Sequence, residues 1–193
     1  MNKSRRFPLI AGILFLLLNV IVVAYAWVSG VHLYDFGISF SAYVGLQRWT
    51  SVMYFVFAVI MIALLAVYVL KTKIRFIKKI LYGIIFICIF GTAFFPFNTF
   101  SAHPTALTVD LHNDFAIGLM LATTVSFILS LILSKTRKHK ITALLSLLFA
   151  AGFIACYFSG IPLLFSTFFI WENAFIILLL LELYMEQFEE DIE

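Results

Sequence analysis

His103, Asp110, His112 and Asp114 fall within one short segment, AHPTALTVDLHNDF, which runs from Ala102 to Phe115. Asp110 precedes an apolar run. There its carboxylate can accept hydrogen bonds from the free N–H groups of a helix start and complement the positive end of the helix dipole. Asp110 and Asp114 are four residues apart, so in a helix they share a face, and His103 can fold back toward them. Imidazole and carboxylates together suit zinc or a similar divalent metal. His103, Asp110 and Asp114 are thus candidate metal ligands, and the sequence leaves the identity of any cofactor open beyond a divalent metal. His112 points away from that face, and no HxxxH or HExxH pair fixes the site. The two readings are a capped helix and an outer polar site of His103, Asp110, His112 and Asp114.

Glu172 lies deep in the last apolar run. Counting along that helix at about 1.5 Å per residue puts its carboxylate roughly 9 to 15 Å below the outer membrane surface. Ionisable groups at such depth face the bundle interior, pair with one another or line a polar path. Arg48 is the one basic residue outside the basic clusters, which makes an Arg48 to Glu172 pair the simplest compensation, assisted by Asn173, Thr50, Ser51 or Tyr54. Such a pair is either a latch between helices or the floor of a substrate or proton site. Cys88 and Cys156 sit in apolar runs and read as small hydrophobes. No GxSxG elbow supports serine-hydrolase chemistry.

The elements that position these residues follow from charge and hydropathy. Twelve of the thirteen Lys and Arg residues form three clusters: Lys3, Arg5 and Arg6; Lys71, Lys73, Arg75, Lys78 and Lys79; Lys135, Arg137, Lys138 and Lys140. Basic residues beside spanning helices stay in the cytoplasm. Between clusters the chain has enough apolar residues to cross a hydrocarbon core of about 30 Å twice, at about 20 residues per crossing. The prediction is an all-α, polytopic integral membrane protein of the cell (plasma) membrane. Six transmembrane helices form a single domain with both termini cytoplasmic. They run over Phe7 to Val28, Thr50 to Leu70, Ile80 to Phe95, Phe115 to Ser134, Ile141 to Ser159 and Leu163 to Met185, and residues 186–193 form an acidic cytoplasmic tail. The first run is too long for a signal peptide and lacks a small-residue cleavage site, so it reads as an anchor. Trp27 and Trp49 suit the outer interface.

With 64% hydrophobic and 12% charged residues, the chain has too little polar surface for a soluble monomer. Membrane lipids are therefore the expected partners, and the net charge of +3 does not point to nucleic acid. Two outer connections, Ser29 to Trp49 and Pro96 to Asp114, are long and rich in aromatic residues. Burial of those rings is favourable by about 25 cal/mol per Å², so the connections should fold as a small cap over the bundle.

The stretches GISFSAYVG, the following RW, FFPFNTF at the end of the third helix and VDLHND opening the fourth resemble the bacterial six-helix membrane family catalogued as domain of unknown function 998. That family is distantly similar to the Frag/DRAM membrane proteins, some of which are tied to remodelling of lipid anchors or to lysosomal membranes. Ser39 or Ser41, Phe95 with Pro96, and His112 occupy the family's recurring Ser, Phe-Pro and His positions. Asn98 stands where the family commonly carries Asp. The resemblance implies a fold and a membrane location rather than a reaction.

The function these observations favour is an outward-facing site that binds or modifies a lipid or amphipathic small molecule. The residues alone do not decide between binding and catalysis. The alternative is a non-catalytic sensor, immunity or assembly component. A secondary transporter is a weaker reading, because inverted repeats and Gly/Pro-broken helices are not evident. A polar, lipid-sized cavity between the cap and Glu172 would favour the first reading, and a packed interior the second.

Overall fold

The computed structural model describes residues 6–29, 39–45, 47–95, 106–158 and 168–190, and every regular element among them is a helix. In chain order these are α1 (Phe7–Val28), the short α2 (Phe40–Val44), α3 (Arg48–Lys71), α4 (Phe76–Phe94), α5 (Ala106–Leu133), α6 (Arg137–Phe158) and α7 (Phe168–Glu190). All but α2 are long and apolar enough to cross a membrane. The shortest of them, α4, has 19 residues, or about 28 Å at 1.5 Å per residue.

Residue pattern explains why these helices need lipid. In α1 the buried residues are Pro8, Ala11, Phe15, Leu18, Val22 and Ala26, a single stripe at helical spacing. The opposite face is equally apolar yet exposed, with Leu9, Ile13, Leu16 and Val20 more than half accessible. A helix apolar all round is stable only where both faces avoid water. Pro8 sits in the first turn of α1, where a missing N–H costs nothing. Gln47 and Thr50 form a reciprocal capping box that starts α3.

The six long helices close into a ring. Each packs on its chain neighbour, α1 on α3, α3 on α4, α4 on α5, α5 on α6 and α6 on α7, and α7 packs back on α1. Because α3 to α4 and α5 to α6 are joined by the short connections 72–75 and 134–136, successive helices run antiparallel. The clusters around Lys71 to Lys79 and Lys135 to Lys140 therefore share one end of the ring with the start of α1 and the end of α7. We call this the basic end. Small residues set the closest approaches. The ring of Phe115 occupies the place a side chain on Gly91 would take, and the indole of Trp171 does the same at Gly152.

Several boundaries differ from the expected ones. Helix α4 begins at Phe76 rather than Ile80 and α6 at Arg137 rather than Ile141, which takes Lys78, Lys79, Lys138, His139 and Lys140 into helices. The described part of α7 begins at Phe168 rather than Leu163. Helix α5 begins at Ala106 rather than Phe115, which puts VDLHND inside the helix. Helix α7 continues past Met185 to Glu190, because Glu186 and Glu189 find partners inside the bundle instead of extending into a solvated tail. Residues 191–193 and, within the two long connections, residues 30–38, 46 and 96–105 lie outside the described residues.

Candidate functional site

At the end far from the basic clusters, α2 lies across the ring. Thr50 Oγ1, buried at the start of α3, donates to the carbonyl of Val44 at 2.6 Å and so ties the C-terminus of α2 to the bundle. The Phe40 ring at the other end of α2 packs edge-on against Phe15, Tyr54 and Phe169, with centroids 5.7 to 6.0 Å apart. The backbone N–H of Phe40 donates to Glu172 Oε2 at 2.7 Å, a charge-assisted bond from the first residue of α2 to the first turns of α7. Beneath it is a cavity of ≈ 80 Å³ enclosed by α1, α3, α4, α5, α6 and α7. Phe15, Met61, Leu119, Met120, Phe153 and Phe175 make most of its wall, while Tyr54, Thr92 and Glu172 supply the polar groups. Glu172 is the only charged residue among the described lining. The cavity is thus more apolar and smaller than the polar, lipid-sized chamber that would favour a whole-lipid site, and the interior is not fully packed either.

The remaining sequence candidates separate. Arg48 is exposed in the first turn of α3, and the described bond of the Glu172 carboxylate comes from the Phe40 amide. Asn173 Nδ2 donates to the Phe169 carbonyl, and Ser51 Oγ donates to Val44. Asp110 and Asp114 are exposed on α5, whereas His112, between them, is buried. His112 Nδ1 lies 3.0 Å from the Thr92 carbonyl and 2.6 Å from that of Phe95. Both are acceptors, so the proton must be on Nδ1, and the ring closes off the open carbonyls at the end of α4. His103 lies outside the described residues.

The basic end holds a second polar centre. Lys78, from the first turn of α4, is 3% exposed, and its ammonium bonds to Glu182, Glu186 and Ser130 Oγ. Tyr82, one turn along α4, donates to Glu186 Oε1 at 2.9 Å. His139 of α6 places Nε2 3.0 Å from Glu182 Oε1, and Nδ1 2.9 Å from Ser134 Oγ and 3.2 Å from Glu189 Oε1. Glu189 accepts the backbone N–H groups of Lys135 and Thr136 at 2.7 and 3.1 Å, capping the positive end of α6. Lys78 and His139 are thus the buried bases that face these carboxylates, and Lys73, Arg75 and Lys135 line the adjoining polar pocket with Glu186 and Glu189. His139, Glu182 and Glu186 bring possible ligand atoms within 4.8 Å of one another, and the Lys78 ammonium already supplies a cation to that group.

None of Lys78, His139 and Glu182 stood out in the sequence as a site. The signal was spacing: Glu182, Glu186 and Glu189 recur at i, i+4 and i+7, one face of a helix, and Lys78 and Tyr82 are four apart. Lys78 was concealed among its basic neighbours, and Glu186 and Glu189 resembled the beginning of a solvated tail. Comparisons of the chain with models of known protein families, with curated proteins and with solved structures found no match, so the functional reading rests on these two centres.

Proposed function

We propose that the protein is a multi-pass component of the cell membrane that holds an amphipathic small molecule or lipid segment in the Glu172 cavity, with its basic end and both termini in the cytoplasm. One observation carries this reading: a single carboxylate borders an otherwise apolar cavity inside the ring of helices. A ligand pocket of this kind uses apolar walls for affinity and a few polar groups for orientation. The carboxylate selects a head that donates hydrogen bonds or is positively charged. The walls take the adjoining apolar segment, and at ≈ 80 Å³ the cavity accepts part of a lipid rather than a whole one. Membership of the six-helix family that the sequence resembles belongs to the same proposal.

The test is native mass spectrometry of protein purified in mild detergent. We expect a bound amphipath on the wild type that is lost from Glu172→Gln and from Ala58→Phe, which fills the cavity. Retention of the same species by both variants would contradict the reading. The network at the basic end favours a second reading, a non-catalytic assembly component in which buried charges serve as latches. In that case the same variants lose stability, and the wild type carries no ligand.

A further inference from the structure

We propose that the interior of the ring conducts protons between the Glu172 cavity and the basic end. The proposal is independent of which amphipath the cavity takes. Thr123, Ser126 and Ser130 lie three and four residues apart on α5, so their hydroxyls form one stripe on a helix face. All three are fully buried. One turn before Thr123, Leu119 and Met120 line the cavity, and at the other end Ser130 bonds Lys78 and Glu182. The stripe thus joins the two polar centres.

Two of its three hydroxyls are unusual in one respect, whereas Ser130 Oγ turns back to the Ser126 carbonyl at 3.0 Å. Thr72, Thr92, Thr124 and Thr142 each turn their hydroxyl back to a carbonyl one turn earlier. Thr123 Oγ1 and Ser126 Oγ do not: Thr123 Oγ1, like Glu182 Oε2, has no hydrogen-bond partner among the described residues, and Ser126 Oγ faces the Tyr82 hydroxyl. A buried polar group without a partner is destabilising, and an enclosed water is the usual remedy. From Thr123 to Ser130 the helix rises about 10 Å, a span that three hydroxyls and two or three waters bridge in hydrogen-bonded steps.

The transfer needs no oxidant or reductant. A proton from outer water binds the Glu172 carboxylate and leaves it again as an O–H bond forms on water in the cavity, which returns Glu172 to its starting state. Each water or hydroxyl along the stripe accepts one proton as it releases another. The last O–H bond forms on Glu182 Oε2, the buried carboxylate oxygen without a hydrogen-bond partner among the described residues. From there a polar pocket lined by Lys73, Arg75, Lys135, Glu186 and Glu189 opens the route to water. The titratable groups around the path are Tyr54 and Tyr68 from α3, Lys78 and Tyr82 from α4, His112 from α5, His139 from α6, and Glu172, Glu182, Glu186 and Glu189 from α7. Helix α1 faces it with Phe15 and Leu18.

The test is proton entry into liposomes carrying the full-length protein, with the potential clamped by potassium and valinomycin and internal pH read from a trapped dye. We expect entry at least about fivefold faster than in protein-free liposomes, as an intramembrane relay requires. Glu182→Gln, and Thr123→Val combined with Ser126→Ala, should bring it near the protein-free rate. Thr123→Ser combined with Ser126→Thr keeps both hydroxyls and should restore it. Thr142→Val removes a hydroxyl that turns back to the Lys138 carbonyl on the exposed side of α6 and should leave it unchanged. Wild-type entry equal to that of protein-free liposomes would overturn the proposal. So would undiminished entry in the Thr123→Val, Ser126→Ala protein. Neither outcome bears on ligand retention in the cavity, which the mass measurement reads separately.

Discussion

Lys78 illustrates how a residue's neighbours decide its role. Its charge belongs by sequence to a solvated basic loop, yet its ammonium is buried among Glu182, Glu186 and Ser130. Removing one partner of a buried pair leaves an uncompensated charge and typically costs 3 to 5 kcal/mol, whereas replacing both can be nearly neutral. Lys78→Met should therefore lower the unfolding midpoint in detergent severely. Lys78→Met combined with Glu186→Met should recover part of the loss, and a double variant worse than the single one would count against the pairing. His112 makes a smaller case. His112→Ala uncovers the Thr92 and Phe95 carbonyls, and we expect a loss of about 1 to 3 kcal/mol, read by the same melts.

Among elements, close approach at glycine decides which helices pass each other. Gly91→Val on α4 must displace the Phe115 ring of α5, and Gly152→Val on α6 must displace Trp171 of α7. Overpacking of this kind costs about 1 to 3 kcal/mol. Gly83→Ala meets nothing within 4 Å and should melt as the wild type does. The six long helices were legible in the sequence, because an apolar run of about 20 residues between charged clusters has few other solutions. The start of α5 was not: the polar residues of VDLHND suggest a loop, but His112 is drawn into the helix by two carbonyls on α4, a contact distant in sequence. Glu172 was legible as a buried carboxylate, since charge at that depth is costly in any fold. Its bond from the Phe40 amide was not, because it depends on α2 folding across the ring. The Lys78 centre was hidden for a similar reason, as it draws on α4, α5, α6 and α7 at once.

At the scale of the whole molecule, a closed ring with the Lys71 to Lys79 and Lys135 to Lys140 clusters at one end carries the charge asymmetry from which the proposed orientation in the membrane is read. Single cysteines in a background lacking Cys88 and Cys156 test this with an impermeant reagent. Arg75→Cys and Lys138→Cys should stay unlabelled from outside intact cells while Asp110→Cys is labelled, and the reverse pattern would invert the topology. The central claim concerns what the ring encloses. It is tested most directly by comparing the affinities of the purified protein for a long-chain primary amine and for the alcohol of equal chain length. The Glu172 carboxylate should favour the amine by at least about tenfold, since a charge-assisted bond is roughly twice as strong as a neutral one. Glu172→Gln should abolish that preference while leaving the weaker binding of the alcohol intact. Equal affinity of the wild type for both probes, or an amine preference that survives Glu172→Gln, would contradict the account.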